Sequence, residues 1–294
     1  MPNSSQLSAI SRLFSPAVFR EMAKDGCSPI FARIIGLTGV RGRCSPTATV
    51  SDLFDAAFSV LKKSGLRDEY IYRAAVTNKI LLGRHSLNTA SMLTEFRAGG
   101  SKADLVILNG TATVYEIKSE RDSLSRLERQ LFDYRKVFAS VNVISSESHI
   151  GSVLEMVPED VGVMCLSDRF TIKTIRESKI LPNRICPVTL FESLRSSEAM
   201  AVLERLGVAV PSVPNTQRHA LLREIYSEQV PAHVHQAMVA VLRVTRDLSS
   251  LNGFVSQVPE SLRPGALAIK LKRSEHDRLL DAISTPLDSA LNWM

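Results

Sequence analysis

Three residues with the chemistry of phosphodiester hydrolysis lie close together in the sequence: Asp104, Glu116 and Lys118. Two carboxylates can hold Mg²⁺ while the ion keeps several of its waters. The bound ion then polarises a phosphate and lowers the pKa of an attacking water, and a nearby lysine can orient that water or neutralise charge on the phosphate. These residue types predict a metal-dependent phosphodiesterase. The alternative is an exposed strand end that carries an ordinary Glu–Lys pair.

Two short strands joined by a tight turn are predicted to carry these residues. Leu105–Leu108 is an unbroken apolar run, Asn109-Gly110 is a strong hairpin signal, and Thr111–Lys118 alternates in polarity. One face of the second strand carries Ala112, Val114, Glu116 and Lys118. The other face carries Thr113, Tyr115 and Ile117. Since side chains alternate along a strand, the glutamate and the lysine point the same way.

The length of the turn decides whether the aspartate joins them. A strict two-residue turn would set Asp104 opposite Tyr115, on the wrong face of the sheet. A turn one residue longer, with Gly110 as a left-handed bulge residue, would set Asp104 opposite Val114 or Glu116. A working site therefore requires the longer turn.

The neighbouring elements are predicted from periodicity and turn signals. We expect a helix over Arg67–Leu82 and a strand over Ser91–Arg97 before the hairpin. After it, a polar cap region at Ser119–Ser123 leads into a helix that runs to about Ala139, and Val141–Ile144 forms a strand parallel to its neighbour. The apolar stripe of that helix is Leu124, Leu127, Leu131, Tyr134 and Phe138. The predicted order is helix, three strands, helix, strand.

This stretch resembles the PD-(D/E)xK, or restriction-endonuclease-like, nuclease superfamily, whose core has the order αβββαβ. Asp104 matches the conserved aspartate and Glu116-Ile117-Lys118 matches the E-x-K element, with Ala103 in place of the variable proline. Gln130 to Tyr134 matches the Q-x-x-x-Y motif of RecB-like exonucleases. Over about residues 67–205, the segments ADLVILNG and YEIKSERDSLSRLERQ are similar to the sce7726-type family of bacterial proteins.

The resemblance implies a Mg²⁺ or Mn²⁺ site. Asp104 and Glu116 would bind the ion, the carbonyl of Ile117 would be a possible further ligand, and Lys118 would act on water or phosphate. Many members of the superfamily carry another acidic residue on the helix before the first strand. Here the candidate is Glu69 on that helix, and Glu95 on the first strand is its rival. The alternative is that both are ordinary surface charges.

The helix after the hairpin adds a second part to the predicted site. Gln130 and Tyr134 are four residues apart and share a helix face, which the resemblance places near the phosphate or the metal. The alternative is a core tyrosine with a solvated neighbour. The segment is also basic, through Arg121, Arg126, Arg129, Arg135 and Lys136. These residues would contact a nucleic-acid backbone, although a solvated helix face explains them as well.

Composition bounds the remaining possibilities. The 294 residues are 45% hydrophobic with a net charge of +6, which suits a soluble protein with a polyanionic partner. No apolar run is long enough to span a membrane and no signal-peptide core is visible, so we expect a cytoplasmic protein without a membrane partner. No P-loop, G-x-G-x-x-G or G-x-S-x-G motif is present.

The cysteines and histidines suggest no metal site. Cys27, Cys44, Cys165 and Cys186 match no zinc spacing and are expected to be reduced thiols. His233 and His235 could chelate a metal from a strand. The segment after Pro231 is predicted to be a helix, however, where these two side chains diverge.

The chain is predicted to comprise a helical N-terminal extension (1–66), a nuclease-like α/β core (67–176) and a mostly helical region (177–294). In the last region we expect helices at Val188–Leu206, Gln217–Ser227, Ala232–Leu248 and Ser274–Ile283, and a short strand at Ala266–Leu271.

The sequence thus predicts a Mg²⁺- or Mn²⁺-dependent deoxyribonuclease, and the resemblance suggests a restriction or phage-defence role. One alternative is a catalytically inactive module of this fold that binds nucleic acid or a partner protein. Another is an adaptor whose C-terminal helices bind a protein or form a homodimer. An exposed apolar patch on those helices would favour the adaptor.

Overall fold

A computed structural model describes residues 2–293, and within this range six strands form one mixed sheet in the order β1 to β6. They are β1 Ser91–Ala98, β2 Ser101–Asn109, β3 Thr111–Lys118, β4 Ser140–Ser145, β5 Gly162–Leu166 and β6 Ile172–Arg176. The pairs β1–β2, β2–β3 and β5–β6 are antiparallel, while β3–β4 and β4–β5 are parallel. A helix crosses over between the strands of each parallel pair, as parallel pairing requires.

Helices surround the sheet. Before β1 lie α1 Ser4–Leu13, α2 Pro16–Asp25, α3 Pro29–Thr38, α4 Val50–Leu61, α5 Glu69–Val76 and, after a π-helical turn at Thr77–Leu81, α6 Leu82–Arg84. Between strands lie α7 Leu127–Tyr134 and α8 Ile150–Met156. After β6 lie α9 Pro187–Glu192, α10 Ser196–Arg205, α11 Asn215–Ser227, α12 Pro231–Thr245, α13 Asn252–Gln257, α14 Arg263–Ala268, α15 Arg273–Ser284 and α16 Leu287–Ala290. None of the helices in residues 2–293 is long and apolar enough to cross a membrane.

The two faces of the sheet are covered by different helices. Tyr115 and Ile117 of β3 pack into a core with α1 to α5 and with α13 to α16. Val114, on the opposite face of the same strand, packs into a second core with α7 and with α9 to α12. The chain after residue 251 therefore returns to the N-terminal helices, and a backbone bridge joins Thr49 to Pro286.

The structure confirms the predicted α/β class and the order helix (α5), three strands (β1 to β3), helix (α7), strand (β4). Strand β3 has the predicted bounds, and β4 is parallel to β3 as expected. The expected helices at residues 217–227, 232–248 and 274–283 correspond to α11, α12 and α15. The division of the chain at residues 66 and 176 remains a prediction.

The helix predicted to run to about Ala139 is shorter at both ends. Before it, the N–H and the hydroxyl of Ser119 donate to the Asp122 carboxylate at 2.8 and 2.6 Å. Such local bonds offer the backbone an alternative to the helix, so α7 begins only at Leu127. It ends at Tyr134, after which turns lead into β4.

Two predictions in the C-terminal region are wrong. The expected strand at Ala266–Leu271 is instead the helix α14 followed by extended chain, because Pro264 suits the first turn of a helix. A short apolar run alone does not distinguish a strand from a buried helix.

The second wrong prediction is the single helix Val188–Leu206, which the structure divides into α9 and α10. The Ser193 hydroxyl donates to the Thr189 carbonyl at 2.8 Å, and the Glu198 carboxylate accepts from the Arg195 N–H at 2.9 Å to begin the second helix.

Candidate functional site

The hairpin between β2 and β3 pairs Leu108 with Ala112 and not with Thr111, so its register is that of a turn one residue longer than a strict two-residue loop. Asn109 pairs with Thr111, so Gly110 alone lies between them, with a left-handed φ of 69°. The same register continues to Leu105 opposite Tyr115, and its next step sets Asp104 opposite Glu116. The predicted condition on the turn is confirmed.

A third acidic residue extends this alignment. The pairing of β1 with β2 sets Glu95 opposite Asp104, and Glu95 has φ 53°, a left-handed conformation that non-glycine residues rarely adopt. Glu95 and Asp104 do not themselves form a ladder pair, but their neighbours do, Thr94 with Leu105 and Phe96 with Ala103. Three carboxylates, those of Glu95, Asp104 and Glu116, therefore occupy one row across three adjacent strands.

Helix α5 brings a fourth carboxylate to this row. Glu69 is the first residue of α5, whose N-cap is Asp68. One carboxylate oxygen each from Glu69, Glu95 and Asp104 lie within 4.8 Å of one another. Both residues considered as the additional acid thus converge on Asp104. Within residues 2–293, Glu116 belongs to no such group of three.

Arg73 of α5, which matches no element of the predicted site, lies among these acids. Arg73 pairs with Glu69 one turn away on α5, and its Nη2 is 3.7 Å from Glu95 Oε1. Lys102 Nζ lies 3.8 Å from the other oxygen of Glu95. The spacing of Glu69 and Arg73, four residues apart on a predicted helix, was the available signal.

The E-x-K pair is buried and internally bonded. Glu116 is 1% exposed, and its Oε1 accepts from Lys118 Nζ at 2.7 Å. Lys118 Nζ also donates to Gln130 Oε1 at 2.8 Å. Two of the three ammonium donors are thereby used, and in the described chain the third has no protein partner. Gln130, predicted to face the site, does so from α7.

Tyr134 reaches the same carboxylate from one turn further along α7. Its hydroxyl lies 2.7 Å from Glu116 Oε2 and 2.6 Å from the carbonyl oxygen of Lys102. A single hydroxyl proton cannot be donated to two acceptors. The hydroxyl therefore donates to either Glu116 or the Lys102 carbonyl at any one time, and its bond to Glu116 favours the ionised carboxylate. Tyr134 is also fully buried, as the core alternative predicted, and its role near a phosphate or metal remains a prediction.

Burial sets the direction of the pKa shifts of the two carboxyls on β2 and β3. Burial raises the pKa of Glu116, although the Lys118 ammonium opposes the shift. Burial and then the charge of Glu116 raise the pKa of Asp104 to about 8, although the Ile117 N–H donates to Asp104 Oδ2 at 2.8 Å and favours the ionised form. The Ile117 carbonyl as a metal ligand remains a prediction.

The donor set of the acidic group fits a hard divalent cation. Mg²⁺ takes oxygen ligands at about 2.1 Å, so that trans ligands are separated by roughly 4.2 Å. The spread of at most 4.8 Å between the oxygens of Glu69, Glu95 and Asp104 is close to that separation. The residues present therefore suit Mg²⁺ or Mn²⁺ with minor adjustment.

The basic residues around α7 have mixed roles. Arg135 forms two bonds to the Asp160 carboxylate, at 3.1 and 2.8 Å, and Lys136 Nζ lies 3.8 Å from the centroid of the exposed Phe132 ring. Arg121 donates to the Leu66 carbonyl. In the described part of the chain, Arg126 and Arg129 are exposed and have no carboxylate within 4.0 Å.

The histidine pair does not form a metal site. His233 and His235 lie on the helix α12, as predicted, and the first is exposed while the second is buried. His235 Nε2 accepts from the Ala112 N–H at 3.3 Å, and burial lowers the pKa of His235 to about 4. The four cysteines are free thiols, as predicted.

The fold and site define a mixed α/β protein with a row of acidic residues, exposed at Glu95 and buried at Glu116, at the junction of α5, α7 and the first three strands. A family profile described as bacteriophage P4 protein cII matches residues 62–267, and the chain belongs to this family. The matched range includes all the site residues described above.

Individual relatives are distant. Protein cII of Enterobacteria phage P4 is 25% identical over 199 residues, which cover 65% of this chain and 73% of that protein. A protein of unknown function from Silicibacter pomeroyi is 19% identical, covering 42% of this chain and 87% of the other, with a TM-score of 0.27. That TM-score is too low to indicate a common fold.

Proposed function

We propose that the chain is a Mg²⁺- or Mn²⁺-dependent nuclease that hydrolyses phosphodiester bonds of DNA. The observation that carries the proposal is the row Glu95, Asp104 and Glu116, with Lys118 bonded to its last member. Ionised carboxylates held close together repel one another and favour a nearby cation; Arg73, Lys102 and Lys118 supply part of that positive charge here. An arrangement of this kind is expected where a cation is bound.

The ion would be held by Glu69, Glu95 and Asp104, with Glu116 and the Ile117 carbonyl as further ligands. When bound, it would supply Lewis-acid polarisation of the scissile phosphate. Each oxygen of Glu116 has more than one lone pair, so bonds to Lys118 and Tyr134 leave acceptor capacity for an ion. Arg73 would have to release at least one of its carboxylate partners.

Lys118 is the residue that we expect to contact the attacking water or the scissile phosphate. Its free ammonium donor would orient the attacking water or stabilise the charge that develops on the phosphate. Gln130 and Glu116 fix the ammonium group from two sides and so position it. Tyr134 fixes Glu116 in turn, which makes both α7 residues positioning residues.

The wider assignment is part of the same proposal. The order of elements α5, β1 to β3, α7 and β4 supports a restriction-endonuclease-like core. A cytoplasmic enzyme of restriction or phage defence, with DNA as its partner, would use such a core. The C-terminal helices would be available to a protein partner or a homodimer.

The test is cleavage of linear, circular and branched DNA in Mg²⁺ or Mn²⁺ and in EDTA. We expect cleavage that requires the metal and falls by two or more orders of magnitude in Lys118→Ala, a range found when a charge-stabilising group is removed. Lys173→Ala, on the far edge strand β6, is the matched control and should retain activity. Equal cleavage by Lys118→Ala and wild type would refute the assignment.

A second candidate, an inactive nuclease-fold module that binds nucleic acid or protein, is favoured by one observation. Glu116 uses both oxygens and Lys118 two of its three donors within the protein, as in a structural ion pair. DNA binding in EDTA, without cleavage in any divalent metal, would support this candidate over the nuclease.

A further inference from the structure

A cavity of about 450 Å³ lies at the free edge of the sheet, outside the acidic row. Its floor is apolar and includes Met92, Leu93, Leu267 and Ile269, all of them buried. It lies between strand β1, which pairs only with β2, and the chain segments that follow α12 and α14. Small-molecule sites have volumes of about 300–1,000 Å³, so the cavity can hold a ligand of that class.

Three cations line this cavity: Arg195, Arg246 and Lys270. Among residues 2–293, Arg195 and Lys270 have no carboxylate within ion-pair distance, and both are exposed. Two carboxylates lie nearby, Asp247 in the lining and Glu198 beneath it. The three positive charges exceed the two negative ones, so an anionic group would be attracted.

Arg246 is held in place before any ligand arrives. Its Nε and Nη2 donate to the two oxygens of Glu198 at 2.7 and 2.9 Å, and its guanidinium carbon lies 5.1 Å from the centroid of the Phe96 ring. Its carbonyl oxygen accepts from the Ser91 hydroxyl at 2.6 Å. The Nη1 group has no protein partner in the described chain. A donor fixed in advance loses little conformational entropy on binding.

The remaining polar groups narrow the class of ligand. Thr94 and Ser250 supply hydroxyls, while the Thr245 hydroxyl already donates to Glu198 Oε1 at 3.4 Å. Asp247 accepts from Ser249 and keeps lone pairs for further N–H or O–H donors. Inorganic phosphate would leave the apolar floor uncovered, and an aliphatic acid would leave the hydroxyls unpaired. A planar base with a sugar and a phosphate uses all three kinds of surface.

We propose that this cavity binds a nucleoside phosphate, supplied as a free nucleotide or as one nucleotide of a DNA strand. The cations contact the phosphate, the apolar floor contacts the base, and the hydroxyls and Asp247 bond to the base edge or the sugar. Thr94 precedes Glu95 in β1, so the cavity adjoins the acidic row along one strand. Binding here does not depend on cleavage there.

Calorimetric titration in EDTA tests the proposal with four probes: deoxyadenosine monophosphate, deoxyadenosine, inorganic phosphate and a deoxyadenosine tetranucleotide. We expect the monophosphate or the tetranucleotide to bind. Deoxyadenosine and phosphate should each bind at least about tenfold more weakly, the effect of roughly one charge-assisted hydrogen bond. Tighter binding of the monophosphate than of the tetranucleotide indicates a free nucleotide, and the reverse indicates a strand.

Charge-removing variants locate the binding. Lys270→Gln and Arg195→Gln should each weaken binding about tenfold, whereas Lys173→Gln on the opposite edge strand should not change it. Failure of every probe to bind at millimolar concentration overturns the proposal, and so does binding that is unchanged in both lining variants.

The titration also separates this proposal from the nuclease. Lys118→Ala should retain nucleotide binding while it loses cleavage. A protein that binds nucleotide but never cleaves DNA refutes only the nuclease, and one that cleaves DNA without this binding refutes only the cavity site.

Discussion

Asp104 lies opposite Glu116 because Gly110 alone separates the last paired residues of β2 and β3. Side chains alternate along each strand, so a register shifted by one residue would turn Asp104 toward the other face. The alignment leaves two partly or fully buried carboxyls close together, and burial with the Glu116 charge raises the pKa of Asp104 to about 8. The turn therefore brings together carboxyls that could bind a cation, and the same closeness lowers the stability of the fold when both carboxyls are ionised.

The first prediction concerns that turn. Gly110→Ala should lower the free energy of unfolding by about 1 kcal/mol, because an L-residue with a side chain is strained at a left-handed φ. A Cβ at Gly110 would meet nothing within 4 Å, so the loss reflects the backbone alone. Gly110→Asn should cost less, since asparagine tolerates this conformation. Chemical denaturation measures each change.

Gly151→Ala is the matched control for the turn. Gly151 lies within α8, and an added Cβ there also meets nothing within 4 Å. Alanine is favoured over glycine in a helix by up to about 1 kcal/mol, so this variant should be slightly more stable than wild type. A Gly110→Ala protein as stable as Gly151→Ala would contradict the left-handed assignment.

The second prediction concerns the hydroxyl of Tyr134. Tyr134→Phe leaves an oxygen of Glu116 and the Lys102 carbonyl without their shared partner, which should cost about 1–3 kcal/mol of stability. The bond from Tyr134 also favours the ionised form of Glu116, so its loss raises the pKa of Glu116 further. Mn²⁺ affinity, measured calorimetrically, should therefore fall.

Tyr226→Phe separates the two effects. Tyr226 is also buried, and its hydroxyl donates to the Ala199 carbonyl at 2.9 Å and not to a carboxyl of the site. This variant should lose stability while keeping Mn²⁺ affinity. Equal Mn²⁺ affinities in the two tyrosine variants would mean that Tyr134 is only a core residue.

The residues of β3 show what the sequence could predict. The alternation of polarity over Thr111–Lys118 predicted that Glu116 and Lys118 share a face, and the strand has the predicted bounds. The alternation is strong because each face of β3 packs into a different core. The position of Asp104 depended on the turn, which periodicity restricts to two registers without choosing between them.

Other features could not be read from local sequence. The left-handed backbone of Glu95 arises where the β1–β2 pairing is interrupted, and no glycine or asparagine marks it. The convergence of Glu69 on Asp104 depends on how α5 packs on the sheet. Ser119 and Asp122 shorten the following helix through side-chain bonds that the apolar stripe does not reveal. Each of these requires tertiary contacts or local polar competition.

The third prediction assigns the ligands of the cation. Glu69→Gln and Glu95→Gln should each lower Mn²⁺ affinity by at least about tenfold, because each removes a charged oxygen donor. Changes to residues that only support a metal ligand already cost about 10–100-fold in affinity. Glu128→Gln, on the exposed side of α7, is the control for loss of one negative charge. Titration followed by Mn²⁺ electron paramagnetic resonance measures the affinities. Wild-type affinity in both Glu69→Gln and Glu95→Gln would exclude this ligand set.

The fourth prediction is the effect of pH on stability without metal. The pKa of Asp104 is raised from 3.8 to about 8 in the folded protein, and burial also raises that of Glu116. Between about pH 4 and pH 8 the folded state therefore holds more protons than the unfolded state, and the free energy of unfolding falls as pH rises. Urea denaturation should show a smaller fall in Asp104→Asn, whose residue 104 cannot ionise. An identical pH dependence in both proteins would contradict the raised pKa.

The fifth prediction is that Mn²⁺ affinity rises with pH, in contrast to the stability of the metal-free protein, which falls. Carboxylates bind a divalent cation in their ionised form, so Asp104 must release its proton when the ion binds. Affinity should rise with pH up to about 8, the pKa of Asp104, and then level off. Calorimetry at neutral pH in buffers of different ionisation enthalpy should detect the released proton. The Asp104→Asn protein should release less and bind the ion more weakly, whereas an affinity that is constant over this range would place the ion away from Asp104.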